Sequence, residues 1–394
     1  MAAGVIATVV NTTIIEESDF MVSQSESEVA CGVFTLVTYV FVFGLLCLFG
    51  LIGNSLSFAV MRMDRRIHVA AFLLQVMAIT DNAFLVTTGF SQIFTALLIY
   101  AGRLDHPVMP YMYKYIHPLV HITQLGTVWI TVLVAFNRYI AICRPFRAPL
   151  LCTMNRVRLQ VAIMFLLILL YNVPRFCEHR IEYVWQPETN WTQPTSEVTD
   201  LKKSDAYNIV YENALYCLFV FLGPLAILVV FNASLIRELL LAHRRQMARQ
   251  LPPSRVKGEE QEQNITLVMV IIIVVFLVCQ TPAYVNQVLS YVLGEEAYHC
   301  GKPYYYYFHV SNLVVSANSV FNFVIYCAFR KQFRQRLSTF CGRRGETNHR
   351  RSSSSVYQTG RCPGISIHRQ QPNRSSIISD SISKSQPFQS LTSI

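Results

Sequence analysis

Seven apolar stretches run through this chain, at about 35–61, 69–100, 116–142, 158–176, 208–236, 265–292 and 304–328. Each approaches or exceeds the roughly 20 residues that an α-helix needs to cross a ~30 Å hydrocarbon core. Helices of water-soluble domains average only about 11–12 residues, so seven repeats of this length exclude a water-soluble globule. The expected fold is an all-α membrane protein, a seven-transmembrane helix bundle. Composition points the same way. The chain is 53% hydrophobic and 14% charged, against roughly 25% charged in ordinary soluble domains.

A net charge of +10 would suit a nucleic-acid binder if it formed one patch. Instead, most Lys and Arg residues fall in the loops after stretches one, three and five and in the tail after stretch seven. Residues 1–34 carry Glu16, Glu17, Asp19, Glu26 and Glu28 and no basic residue. Basic loops stay in the cytoplasm, which puts the N-terminus outside and the C-terminus inside, with no nucleic-acid partner expected. Residues 1–10 lack the basic start of a cleavable signal, so the first spanning helix is expected to direct its own insertion. Of the sequons, those at Asn11 and Asn190 fall outside and are expected to be glycosylated, whereas Asn264 falls inside.

Most of the eleven cysteines sit in helices or on the reducing side, where they remain thiols. Cys31, Cys177 and Cys300 lie near the outer face, so at most one bridge can form there. Cys31–Cys300 is the expected pair, with Cys177–Cys300 as the competing arrangement. Residues 1–34 form a polar leader, and 35–328 hold the seven spans. In 329–341, Phe329, Phe333 and Leu337 recur at four-residue spacing with basic residues between, as in a short eighth helix lying on anionic lipid. Cys341 follows as a palmitoylation candidate, a free thiol being the alternative. The Ser-rich tail 342–394, with Ser352 to Ser355 consecutive, is expected to be disordered and phosphorylatable.

Polar landmarks recur near the inner ends of these helices. They are Asn54 in the first, Asp81 in the second, Asn137-Arg138-Tyr139 ending the third, Pro224 in the fifth, Pro282 in the sixth, and Asn318-Ser319 then Asn322 and Tyr326 in the seventh. Charged groups at such depths are expensive and normally functional. Together the landmarks resemble the rhodopsin-like (class A) G-protein-coupled receptors over about residues 35–340. The resemblance implies a plasma-membrane protein with a heterotrimeric G protein inside, then receptor kinases and arrestin at the Ser-rich tail; the sequence carries no catalytic constellation, so no enzymatic activity is expected. It places Asp81 beside Thr127, Asn318, Ser319 and Asn322, oxygen ligands suited to a sodium ion; a neutral Asp81 in a polar seam is the competing reading. It also pairs Arg138 with Glu262 at the base of the sixth helix as a resting clamp, against the simpler view of Glu262 as a solvated loop acid.

Departures from the family pattern are as informative. Asn137 stands where the family has an acid, Gln280 where it has a tryptophan, and Phe323 where it has a proline. Tyr113 replaces the cysteine that usually ties the third helix to the second outer loop. Val120 excludes an amine receptor and Ser316 a retinal-binding opsin. His121, Gln124, Gln280, Asn286, Gln287 and Asn312 are expected to give the ligand cavity a polar wall. The segment Asn172-Val173-Pro174-Arg175-Phe176-Cys177-Glu178 resembles that of the FMRFamide-receptor-like neuropeptide receptors of invertebrates, which implies a short amidated peptide whose arginine meets Glu178 or another outer acid. The competing class is a seven-helix transporter or channel, disfavoured by the lack of an internal repeat and of paired broken helices.

Overall fold

The computed structural model describes residues 29–63, 69–103, 105–187, 190–249, 253–329 and 333–342, and side chains within 253–270 lie outside the described part. The long helices are α1 (Val29–Arg62), α2 (Val69–Tyr100), α3 (Met109–Cys143), α4 (Met154–Cys177), α6 (Pro253–Leu293) and α7 (Pro303–Phe329). Between α4 and α6, α5 is built from consecutive segments Tyr207–Leu215, Cys217–Leu222 and Gly223–Arg249. A further helix, α8, covers 333–342. Among the described residues, six helices are apolar and long enough to cross a membrane, and α6 at 41 residues supplies the seventh crossing. The protein is a multi-pass membrane protein.

Several spans are longer than their apolar stretches. α3 starts at Met109 rather than 116, because a π-helical turn over Met112–Ile116 carries the chain through Lys114. α4 starts at Met154, its first turns carrying Arg156 and Arg158. Apolarity marks the hydrocarbon core, and helices run past it into the charged interface.

The helices close into a ring. α1 packs on α2, α2 on α3, α3 on both α4 and α5, α5 on α6, α6 on α7, and α7 back on α1. α3 is the hub, which is why Val128 and Ile130 are wholly buried. α4 is the least enclosed, and Leu166, Leu167, Leu169 and Leu170 are exposed, as suits a helix whose outward partners are lipid tails. Phe333 of α8 is buried in the same cluster as Val60, Met77, Ile130 and Tyr326, so the eighth helix is anchored to the bundle. Phe323 fills the α1–α7 contact: a Cβ on Gly53 would come within 2.9 Å of three of its atoms.

Between α4 and α5 an antiparallel hairpin, β1 (His179–Gln186) and β2 (Trp191–Val198), covers one end of the ring. Its tip holds Asn190 in the left-handed region, at φ 51°, a conformation asparagine tolerates better than most residues. This end is called the hairpin end below.

Candidate functional site

A cavity of about 240 Å³ opens under the hairpin end. Its wall includes His121, Gln124, Asn286, Gln287 and Asn312, together with His117. Five of the seven side chains expected to meet a ligand are thus brought together. Gln280 and Glu178 are absent from that wall; both are buried elsewhere. A larger cleft of about 590 Å³, between α3, α4 and α5, is lined almost wholly by apolar residues such as Leu167 and Phe231. Convergent polar groups are what orient a ligand, which favours the smaller cavity.

Glu178 sits in a buried knot. Arg175 Nη1 lies 3.6 Å from Glu178 and 3.8 Å from Glu212. Lys202 Nζ lies 3.7 Å from Glu178 and forms a closer pair with Glu212. The Tyr207 hydroxyl donates to Glu178 at 2.8 Å, and the Arg175 guanidinium lies 5.5 Å from the centre of the Tyr211 ring. Local sequence explains the geometry. Pro174 sets a 3-10 turn over Val173–Cys177, which tightens the helix end and turns Arg175 and Glu178 inward at i,i+3 spacing. The Asn172–Glu178 motif is therefore a device for pinning the end of α4 to α5. Sequence reasoning missed Lys202 and the pairing role of Arg175; the i,i+3 opposite charges were the available signal.

No cysteine ties α3 to the hairpin here, and aromatic contacts do so instead. The Tyr113 and His179 rings stack at 5.5 Å with a 24° interplanar angle, and Tyr111 and Tyr183 share a hydroxyl hydrogen bond of 3.1 Å. Burial pushes the His179 imidazole below its ordinary pKa, with Lys202 acting in the same sense and Glu178 and Glu212 opposing it. Across the ring, Cys31 and Cys300 form a disulfide with a Cα–Cα separation of 6.0 Å, while Cys177 remains a free, exposed thiol. The consecutive tyrosines at the start of α7 are largely used internally: Tyr304 donates to Asn286 Oδ1 at 2.8 Å, Tyr305 bonds Thr35 at 2.6 Å, and Tyr307 donates to the Pro282 carbonyl at 2.8 Å.

Midway through the bundle Asp81 is buried and accepts 2.8 Å from Asn322 Nδ2. The Ser319 hydroxyl neighbours it but makes no well-formed hydrogen bond. Asn54 donates to the Ser319 carbonyl at 3.1 Å, and Thr127 to the Gln124 carbonyl at 2.8 Å. Asn318 is only half-buried. A carboxylate beside an unused hydroxyl oxygen fits a hard cation, although Asn322 turns its amide nitrogen, not its oxygen, toward Asp81. One turn further along α7, the Tyr326 hydroxyl meets Met77 Sδ at 3.2 Å.

At the opposite end Asn137 turns away from its neighbour. Its amide donates to Leu133 O at 3.0 Å and reaches Gln160 of α4 at 3.4 Å. Arg138 is half-buried; the Glu262 side chain lies outside the described residues. Tyr139 stacks on Phe231 at 5.0 Å and accepts from Arg144 at 3.5 Å. Asn190 and Cys341 are exposed, whereas Asn11 and the Ser-rich tail lie outside the described residues.

This arrangement has its counterpart among known proteins. Residues 53–326 match the 7 transmembrane receptor (rhodopsin family), and the chain belongs to that family. It is 24% identical to the FMRFamide receptor of Drosophila melanogaster over 291 residues, which cover 73% of this chain and 50% of that protein. With the FMRFamide peptide receptor frpr-18 of Caenorhabditis elegans it shares 27% identity over 322 residues, 80% of this chain and 69% of the relative. With the sex peptide receptor of Drosophila melanogaster it shares 28% over 230 residues, 53% and 50% of the two chains. The chain thus spans about half the length of the Drosophila FMRFamide receptor that it matches.

Proposed function

We propose that this receptor binds a short amidated neuropeptide at the hairpin end and activates a heterotrimeric G protein at the opposite end. The observation that carries this reading is the polar cavity walled by His121, Gln124, Asn286, Gln287 and Asn312, in a chain resembling two proteins named as FMRFamide receptors. A neutral C-terminal amide and backbone groups suit hydrogen-bonding side chains of this kind. The basic loops then face the cytoplasm of a plasma-membrane receptor, Asn11 and Asn190 carry glycans outside, and Cys341 is acylated inside. Receptor kinases and arrestin engage the Ser-rich tail.

The mechanism is reciprocal coupling. Agonist favours the conformation in which the base of α6 moves outward, and the G protein favours the same state, so each tightens the other. Pro282 breaks the α6 ladder within the membrane and gives it a pivot. Arg138, held by Glu262 at rest, is released to the G protein. Asp81, Ser319 and Thr127 would hold a sodium ion that supplies fixed positive charge to the resting bundle.

A panel of amidated peptides applied to expressing cells, read with reporters for several G-protein classes, tests the proposal. Activation by peptides ending in Arg-Phe-amide, lost in their free-acid forms, is expected. Activation by an unrelated peptide or small molecule would replace the ligand class. Substrate flux through vesicles without nucleotide exchange would replace receptor signalling altogether.

A further inference from the structure

The Arg175, Glu178, Lys202 and Glu212 knot contains two cations and two carboxylates, so it is neutral as it stands. A third cation cannot enter without leaving an excess charge in a poorly hydrated place, which is costly. Entry must therefore be an exchange. The partners differ in their freedom to leave. Arg175 has a side chain 8% exposed, lies between both acids and sits over the Tyr211 ring. Lys202 is 28% exposed and reaches in from the rim. Its backbone is fixed, since Asn208 donates to its carbonyl at 3.0 Å and Thr199 ties the preceding turn to the Cys177 carbonyl at 2.7 Å. Only its flexible four-carbon stem would need to swing.

The carboxylates of the knot also have bonding capacity to spare. Three of its four ion pairs are 3.6–3.8 Å long, beyond hydrogen-bond length. Gln287, a wall residue of the ligand cavity, donates to the Glu212 carbonyl at 3.1 Å, which sets the knot beside that cavity.

We propose that Lys202 is a tethered stand-in for the ligand's cation, displaced from Glu212 and Glu178 when a guanidinium enters from the cavity. The proposal rests on the peptide reading for its physiological ligand. It also makes Lys202 a specificity device. A planar guanidinium bonds a carboxylate with two donors, whereas a ligand ammonium offers only what Lys202 already provides. Arginine in the ligand therefore exchanges and lysine does not.

The test begins without any agonist. Lysines of the purified wild-type receptor are converted to ¹³C-dimethyl-lysines, which keep their charge, and Lys202→Arg identifies the Lys202 signal. Argininamide is expected to move that signal to the position of a solvated lysine, while citrullinamide, of the same shape and uncharged at the side chain, leaves it in place. Exposed Lys203 reports bulk ionic effects. A Lys202 signal that stays fixed through the titration, or that moves only in step with Lys203, overturns the exchange. A second arm uses Phe-Met-Arg-Phe-amide in cells. If Lys202 occupies the acids about nine-tenths of the time, Lys202→Met lowers the half-maximal concentration about tenfold, with no such gain for the citrulline analogue. Equal potency with and without Lys202 counts against the proposal. A wild-type receptor silent to this peptide would sink the ligand reading alone, and the argininamide titration would still decide the exchange.

Discussion

Two buried acidic places in this bundle are solved in opposite ways. Under the hairpin, Glu178 and Glu212 are each faced by Arg175 and Lys202. In the middle of the membrane, Asp81 is met by the Asn322 amide and by a Ser319 hydroxyl that makes no well-formed bond. Desolvating a carboxylate demands compensation at both places. The first is compensated by protein charge built into the fold, so it holds α4 and α5 together. The second relies on neutral dipoles that a small rotation of α7 would redirect. A charge-balanced site can change only by exchanging one cation for another, whereas an under-supplied one is where a shift of a helix can act as a switch.

The sharpest way to break the comparison is to remove the permanent cation. Arg175→Met leaves two buried carboxylates sharing Lys202, and losing one partner of a buried pair typically costs ~3–5 kcal/mol. Surface expression and the thermal midpoint of the purified receptor should fall steeply, and adding Glu212→Gln should recover part of the loss. An unchanged midpoint would mean that the knot is incidental to stability.

The second tie at the hairpin end is covalent. Cys300→Ser frees the α1 end from the start of α7, and loss of a native disulfide typically costs ~2–5 kcal/mol. The loss should fall below that of Arg175→Met, because Thr35–Tyr305 and the Phe34–Tyr306 ring contact at 4.8 Å still join α1 to α7. Unfolding midpoints of the two variants, measured side by side, give the order.

Asp81 should behave differently. Asp81→Asn removes an under-compensated charge, so its midpoint should stay within ~1 kcal/mol of wild type or rise. The change should appear in function. Agonist affinity of the wild type should weaken when sodium replaces choline, and the variant should be indifferent to the swap. A sodium response surviving in Asp81→Asn would remove the ion from this site.

How far all this was legible in the sequence follows the same division. The spans could be read because hydrocarbon thickness imposes a length on every helix. The landmark residues of α2, α3 and α7 could be read because polar groups are conspicuous in apolar runs. The start of α3 could not, since Lys114 interrupts the run and a π turn carries the helix past it. The Asn172–Glu178 segment was visible as a motif, but its inward role was not. Its partners Lys202 and Glu212 come from a loop and another helix, and beyond the i,i+3 spacing of Arg175 and Glu178 nothing local tells an outer acid that solvates from one that pairs. Likewise nothing in the run Tyr304 to Tyr307 announces its internal use, and only the packing of α7 reveals the bonds to Asn286, Thr35 and Pro282. Tyr113 was read as a missing disulfide; the stack on His179 that takes its place depends on where β1 begins.

That stack yields the smallest effect and completes the comparison, because it tests whether the hairpin end is held by packing as well as by charge. An aromatic pair contributes ~0.5–1.5 kcal/mol beyond its buried area, so Tyr113→Ala should loosen the hairpin modestly. Acid should do so too. The folded protein holds His179 below its ordinary pKa of 6.5, so the unfolded chain binds the proton first. Stability from this group is then complete above about pH 6.5 and is lost as pH falls through and below that value. Unfolding midpoints taken from neutral to mildly acidic pH should therefore decline less in His179→Phe, which keeps a ring against Tyr113 but cannot be protonated. His117 and His121 line the neighbouring cavity, and His117 feels the charge on His179, so the difference between the two curves belongs to His179 together with its coupling to His117. Parallel curves would show that the folded protein protonates this ring as readily as the unfolded chain does, its charge tolerated beside Glu178.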